Sequence, residues 1–432
     1  MHVSAIALIA ATLFVWGLVS KRLARADLTA PIVFIVVGAA LAWAGLVDGP
    51  EESAKLTPLV EITLVWVLFS DAAHLPMREL RRDVWRYLRL LVVGLPLTVL
   101  LGWALAAWFW PDLGLWLALF VGAALAPTDA ALGIPVVTNP VVPSRIRQLI
   151  TVESGLNDGI ATPVVMVAIA GAAAAAGLEG HEGAGHAVVQ LALGVVVGSA
   201  VGAAGGWLLR MARQHDLAAE DFTGVAVLAL GLLAYAAALV LGGNGFVAAF
   251  CGGLAFGACA GRRGPEELVY LEQTGELVSA LVWLAFGVIA IPIMLERVDA
   301  LMLLYAAISL TLVRMLPVAL SLVGSGLDRR TVLFVGWFGP RGLASLVFAL
   351  LALEGLGPVA DEAVAVVAVT VLLSVLAHGV SAAPLAARYG RAAAAAGPEA
   401  GGPVDVIELR PGSAARRRAG RRVDDTTPAG HG

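Results

Sequence analysis

The chain has 432 residues, 59% hydrophobic and 14% charged, with a mean hydropathy of +0.89 and a formal net charge of −4. An ordinary soluble domain carries about 25% charged residues, so this composition excludes one. The two cysteines, Cys251 and Cys259, lie in an apolar run. They are too few for a disulfide or metal framework and read as small buried hydrophobes.

Apolar runs of roughly 20 residues, each long enough to cross a bilayer as a helix, recur from the first residues onward. Thirteen spans are predicted: 3–20, 28–47, 56–75, 90–110, 113–137, 149–177, 187–209, 222–241, 245–261, 268–295, 300–323, 332–353 and 363–387. The first lacks a charged leader and a small-residue cleavage site, and is read as a span rather than a signal peptide. The narrowest division is between the eighth and ninth, where Gly242, Gly243 and Asn244 intervene. Beyond residue 388 the chain turns to Ala, Gly, Pro and Arg. Residues 1–388 are therefore the membrane domain, and 389–432 are expected to be a disordered tail. Its basic run at 416–422 is either simply solvated or in contact with anionic lipid.

Cation placement sets the topology. Of the 28 Lys and Arg residues, all but Lys55, Arg297, Arg314 and Arg341 fall in the odd-numbered connections or the tail. Positive charge marks the cytoplasmic side. The expectation is a multi-pass cell-membrane protein with its N-terminus outside and its C-terminus in the cytoplasm.

An ionisable residue inside a span is costly and is a functional candidate by default. The residues in question are Glu61, Asp71, Asp129, Glu153, Asp158, Glu272, Glu276, Arg314 and Arg341. Glu61 and Glu272 lie nearer span ends and read as interfacial. The densest cluster is Glu153-Ser-Gly-Leu-Asn-Asp158 in the sixth span. Ser154 and Asp158, four apart, share one helix face, and Glu153 and Asn157 share the neighbouring face. Counted from the cytoplasmic end, Asp158 lies about 14 Å deep, near the midplane of a ~30 Å core.

Two spans carry interruptions. Ala126-Pro-Thr-Asp129 places Pro127 inside the fifth span, and Gly339-Pro-Arg-Gly342 places Gly339 and Pro340 inside the twelfth, with Arg341 between them and the next glycine. Proline removes a helix hydrogen bond and frees a carbonyl. At membrane depth such a break survives only when buried in protein or lining a cavity. A simple structural kink is the alternative for each break. Two interrupted spans beside midplane ionisable groups are the usual pointer to a transporter substrate site. They lie seven spans apart, so they run in opposite directions. That suits an inverted repeat of spans 1–6 and 8–13, with span 7 as connector.

These residues resemble a known family. Glu153-Ser-Gly-Leu-Asn-Asp158 is similar to the E-S-x-x-N-D signature of NhaP-type sodium/proton antiporters. Ala126-Pro-Thr-Asp129 resembles their unwound-helix motif, and Gly339-Pro-Arg-Gly342 the G-x-R-G of their second broken helix. Phe69-Ser-Asp-Ala-Ala-His-Leu-Pro76 and Gly243-Asn-Gly-Phe-Val-Ala248 resemble two further family segments. The resemblance implies an all-α fold of inverted repeats with two crossed, broken helices, and a homodimer. It implies that Asp158 binds the ion, with Asp129, Thr128 and Ser154 close by. It also implies that Glu153 pairs with Arg314 and that Arg341 pairs with an acid, for which Asp71 is the candidate. Ala130 departs from the proline many relatives carry there. No appended soluble domain is read.

The mechanism expected is exchange of Na⁺, or Li⁺ or K⁺, for H⁺. A hard cation takes oxygen ligands, which Asp158, Asp129, Thr128, Ser154 and the carbonyls freed near Pro127 can supply. An unpaired buried carboxylate is costly to leave charged, so Asp158 should hold a proton or a cation, not both well. Electrogenic relatives carry a second aspartate where this chain has Asn157. An amide releases no proton, which points to electroneutral 1:1 exchange. No cofactor and no nucleic acid are expected. The rival readings are a K⁺-preferring exchanger, a cation channel and, if Arg341 is unpaired, an organic-anion transporter. His74 and His378 lie in or near span ends without an H-E-x-x-H or G-x-S-x-G arrangement, and both read as interfacial.

Overall fold

A computed structural model describes residues 3–24, 29–46, 50–75, 77–178, 184–261 and 265–395. Among these residues the chain is all helix and loop, and the helices form thirteen spans. They are α1 (Val3–Ala24), α2 (Ala30–Trp43), α3 (Pro50–Ala73), α4 (Met77–Leu88, continuing through a π-helical turn at Arg89–Gly94 into Leu95–Phe109), α5a (Gly114–Ala124) with α5b (Ile134–Val137), and α6 (Ser144–Ala175). After these come α7 (Ala184–Gln214), α8 (Glu220–Val240), α9 (Gly245–Cys259), α10 (Pro265–Arg297), α11 (Ala300–Ile308, a π-helical turn at Ser309–Val313, then Arg314–Ser321), α12a (Arg329–Trp337) with α12b (Leu343–Leu356), and α13 (Asp361–Ala395). The chain is a multi-pass membrane protein.

The repeat expected from spacing is written into the irregularities. Spans 4 and 11 carry the π-helical turns and spans 5 and 12 carry the breaks, each pair seven spans apart. π-turns inside helices concentrate at functional sites, and here each stands one span before a break. The close helix contacts repeat as well. A Cβ on Gly38 of α2 would strike the backbone of Leu284 in α10, and one on Gly253 of α9 would strike the backbone of Phe69 in α3. Exchanging the two repeats turns the first contact into the second.

Several boundaries differ from the apolar runs, among them the start of α3 at Pro50 and the end of α7 at Gln214. α4 begins at Met77 because its first turns are amphipathic rather than apolar. There Asp83 pairs with Arg86 and Arg145, and Arg86 Nη2 donates to the Ser325 carbonyl at 2.7 Å. α6 begins at Ser144, ahead of its apolar run. α13 continues past residue 388 to Ala395, and Tyr389 stacks on Phe334 with centroids 4.1 Å apart. The rest of the expected disordered tail, 396–432, lies outside the described residues.

α1 to α3 and α7 to α10 pack as one bundle, and α4 to α6 and α11 to α13 as a second. α3 and α10 meet α12 and α13 across the seam between the bundles. Within the second bundle the two breaks cross.

Candidate functional site

α5a ends at Ala124, before Pro127, and α12a ends at Trp337, before Pro340. Each break leaves backbone groups without helical partners, a severe cost away from water. The two breaks satisfy one another. The Asp129 N–H donates to the Pro340 carbonyl at 2.8 Å. The Leu343 N–H, at the start of α12b, donates to Asp129 Oδ2 at 3.1 Å, and the Ala131 N–H donates to Asp129 Oδ1 at 2.8 Å. Arg341 Nη1 reaches the carbonyls of Ala126, Pro127 and Gly339 at 3.2, 3.4 and 3.4 Å. Gly342 is required at the crossing because a Cβ there would overlap the Asp129 carboxylate.

The sequence expectation for Arg341 needs correction. This fully buried side chain does not meet Asp71. Its partners are the freed carbonyls of the breaks, and Asp71 stands on α3 at the wall of a cavity. These carbonyl oxygens receive Nη1, while Nε and Nη2 are buried without a hydrogen-bond partner.

That cavity, of about 850 Å³, is lined by Asp71 of α3 and His74 just past its end, Thr128 and Asp129 of the first break, Ser154 and Asp158 of α6, and Glu272 of α10, among others. Asp158 is buried, and its Oδ1 has no hydrogen-bond partner. Asp71 and Asp129 stand close enough for their charges to act on it. Beside it runs a hydroxyl chain. Asn157 Nδ2 donates to Thr128 Oγ1 at 2.7 Å, which leaves the Thr128 hydroxyl free to donate to Ser154 Oγ at 3.1 Å. Thr128, Asp129, Ser154 and Asp158 are thus brought to one wall, and Asn157 stands behind it holding Thr128.

On the neighbouring face of α6, Glu153 accepts from Arg314 Nη1 at 2.6 Å, both side chains nearly without exposure. Arg314 follows directly on the π-turn of α11 and lies against Gly339, where a Cβ would overlap its guanidinium. This pair ties α6 and α11 to the second break.

Two histidines take part in the packing around the site, and His74 is exposed as expected of an interfacial residue. His74 Nε2 meets Glu272 Oε1 at 2.8 Å, linking α3 to α10 at the cavity. The spacing from Asp71 to His74, about one helical turn, was the available signal. His378, expected at an interface, is only 1% exposed. It lies on α13 against Trp337, at the end of α12a.

Two crossed, interrupted helices that bring an unpartnered carboxylate to a cavity inside a membrane bundle define the core of a secondary transporter. The chain belongs to the sodium/hydrogen exchanger family, whose transmembrane family model matches residues 8–388. It is similar to the K⁺/H⁺ antiporter NhaP2 of Shewanella sp. strain MR-4, at 27% identity over 383 residues, covering 87% of this chain and 64% of that protein. A probable Na⁺/H⁺ antiporter of Schizosaccharomyces pombe is 25% identical over 345 residues, covering 71% of this chain and 44% of that one. The chain therefore spans less than two thirds of the length of these curated relatives. The sodium proton antiporter MjNhaP1 of Methanocaldococcus jannaschii shares the fold with a TM-score of 0.72 and 21% identity, covering 90% of this chain and 99% of that one.

Proposed function

We propose that the protein is a secondary antiporter that exchanges an alkali cation, Na⁺ or K⁺ (or Li⁺), for H⁺ across the cell membrane, with Asp158 as the shared site. The observation that carries this reading is the buried Asp158 Oδ1 without a hydrogen-bond partner, at a cavity wall with the Thr128 and Ser154 hydroxyls and Asp129. A hard cation takes such oxygens, and a proton neutralises the same carboxylate. Both oxygens of Asp129 already accept backbone N–H groups. Its role is to present the break, its hydroxyl neighbour Thr128 and the local negative charge.

Exchange is electroneutral, one cation for one proton, because Asn157 is an amide committed to Thr128 and has no proton to give. The N-terminus is outside and the C-terminus cytoplasmic, in keeping with the arginine-rich connections. The cavity then reaches toward the cytoplasmic end, since His74 follows the last residue of α3 and Glu272 lies in the first turns of α10. The opposite side is packed shut, with α12b buried along nearly its whole length. This is the inward-facing half of an alternating-access cycle, in a protein that works as a homodimer in pH and sodium homeostasis.

The test is alkali-cation-induced dissipation of ΔpH in everted vesicles, with Na⁺, K⁺ and Li⁺ in turn. Wild type should respond to at least one ion and Asp158→Asn to none. An Asp158→Asn variant that still exchanges would overturn the assignment.

A further inference from the structure

We infer that His378 is a positioning residue that holds the second break in place, and that its charge state adds a proton dependence separate from that of the cavity carboxylates. This rests on the exchange reading above and deepens it.

The last carbonyls of a helix have no intrahelical partner, and at membrane depth each must find one. At the end of α12a the Trp337 carbonyl accepts the Gly339 N–H at 2.8 Å, and His378 Nε2, also at 2.8 Å, takes its second lone pair and ties it to α13. The imidazole stacks on the Trp337 indole, with centroids 5.1 Å apart and planes 27° apart, and Trp337 Nε1 donates to Ser381 Oγ at 3.0 Å. Trp337 is thus fastened to α13 by its carbonyl, its ring face and its indole N–H. The other end of the break is fastened through the same turn of α13, because the Arg341 N–H donates to Ser374 Oγ at 2.7 Å and that oxygen lies 3.3 Å from His378 Nδ1. Residues 338–341 therefore hang between two anchors set by His378 and Ser374. From this suspended segment Arg341 reaches the first break at Ala126 and Pro127, and Pro340 accepts from Asp129. A shift at His378 is passed directly to the position of Asp129 and Thr128.

The ring nitrogens face oxygens on both sides. Nδ1 is also 2.9 Å from the Ser374 carbonyl. A carbonyl only accepts, and a neutral imidazole has a single N–H. The imidazolium donates to both carbonyls. The neutral ring donates to one carbonyl at a time, and when that one is Trp337 its Nδ1 can only accept from the Ser374 hydroxyl at the longer distance. The charged groups facing it are Arg341 from the break and Arg314 from α11, with the Trp337 and Phe338 rings on α12. Proton gain at His378 thus trades a tighter clasp on both carbonyls against repulsion from two arginines.

The experiment compares wild type, His378→Ala and His378→Gln in proteoliposomes, reading kcat and the apparent KM for Na⁺ and K⁺ from pH 5 to pH 8. Glutamine keeps a neutral donor for the Trp337 carbonyl. His378→Ala should raise the cation KM by about tenfold, the loss of roughly one hydrogen bond at a helix end, with a smaller change in kcat. His378→Gln should return KM to within about twofold of wild type but lose the part of the pH profile due to histidine. Wild-type KM and pH profile in His378→Ala, or a KM in His378→Gln as high as in His378→Ala, would overturn the inference. If His378→Ala does not fold, His378→Gln decides alone, and an unchanged pH profile sinks the proposal. A wild type without exchange would instead reject the function on which it rests.

Discussion

Asp158 and Glu153 sit little more than one turn apart on α6 and meet opposite fates. Glu153 has a guanidinium at 2.6 Å, whereas Asp158 keeps an oxygen without a partner. A paired buried charge is structural, and losing one partner is far more costly than losing both. Glu153→Gln or Arg314→Met should each destabilise the protein by about 3–5 kcal/mol, and the double variant by less than either. Thermal unfolding in detergent measures this, and a double variant as unstable as the sum of the singles would refute the pairing. The Glu153-to-Asp158 motif was legible because charges in apolar runs are conspicuous. Arg341 was read as a cation in need of an acid because carbonyl oxygens freed by an unwound turn carry no signature in side-chain chemistry. His378 was misplaced for a related reason. Its partners are main-chain carbonyls at a helix end, and no pattern of residue types reports them.

At the scale of elements, the two breaks form one unit. Each supplies what the other lost, through Asp129 N–H to Pro340, Leu343 N–H to Asp129, and Arg341 to Ala126. The crossing also depends on Gly342, which leaves room for the Asp129 carboxylate. Gly342→Ala should lower exchange at least about tenfold, since a methyl group forced into a close-packed contact displaces its neighbours by costs of about 1–3 kcal/mol. Gly275→Ala, a cavity-side glycine with open space around its Cα, is the control and should exchange normally. Equal activity in the two would show that the crossing tolerates displacement. The breaks themselves were legible from Pro127 and Pro340. That they cross follows from the repeat, for which the sequence offered only the seven-span spacing. The π-turns of α4 and α11 that make the repeat visible are each followed by a proline, Pro96 and Pro317, but a proline alone does not distinguish a π-turn from a kink.

Over the whole molecule, two bundles meet along a seam that is open to a cavity at one end and packed at the other. In a background with Cys251 and Cys259 replaced by alanine, Ser70→Cys at the cavity wall should react with a membrane-impermeant maleimide in inside-out vesicles. Ser345→Cys, fully buried in α12b, should not react from that side. Labelling of Ser70→Cys only in right-side-out vesicles would reverse the proposed orientation of this state. Span number was legible because lipid imposes a length rule on every helix. The division into bundles was not, because helix contacts between apolar faces depend on which small residues meet which backbones.

The central claim is that one carboxylate takes a cation or a proton, never both. The direct measurement is the apparent KM for the transported alkali cation in proteoliposomes as a function of pH. As pH falls the proton occupies Asp158 more often, so cation affinity must weaken while kcat at saturating cation holds. In His378→Gln, where the cavity carboxylate is the one competing site, KM should climb by about tenfold per pH unit at the acidic end and no more steeply. A KM that stays constant across that range while exchange continues would contradict the account.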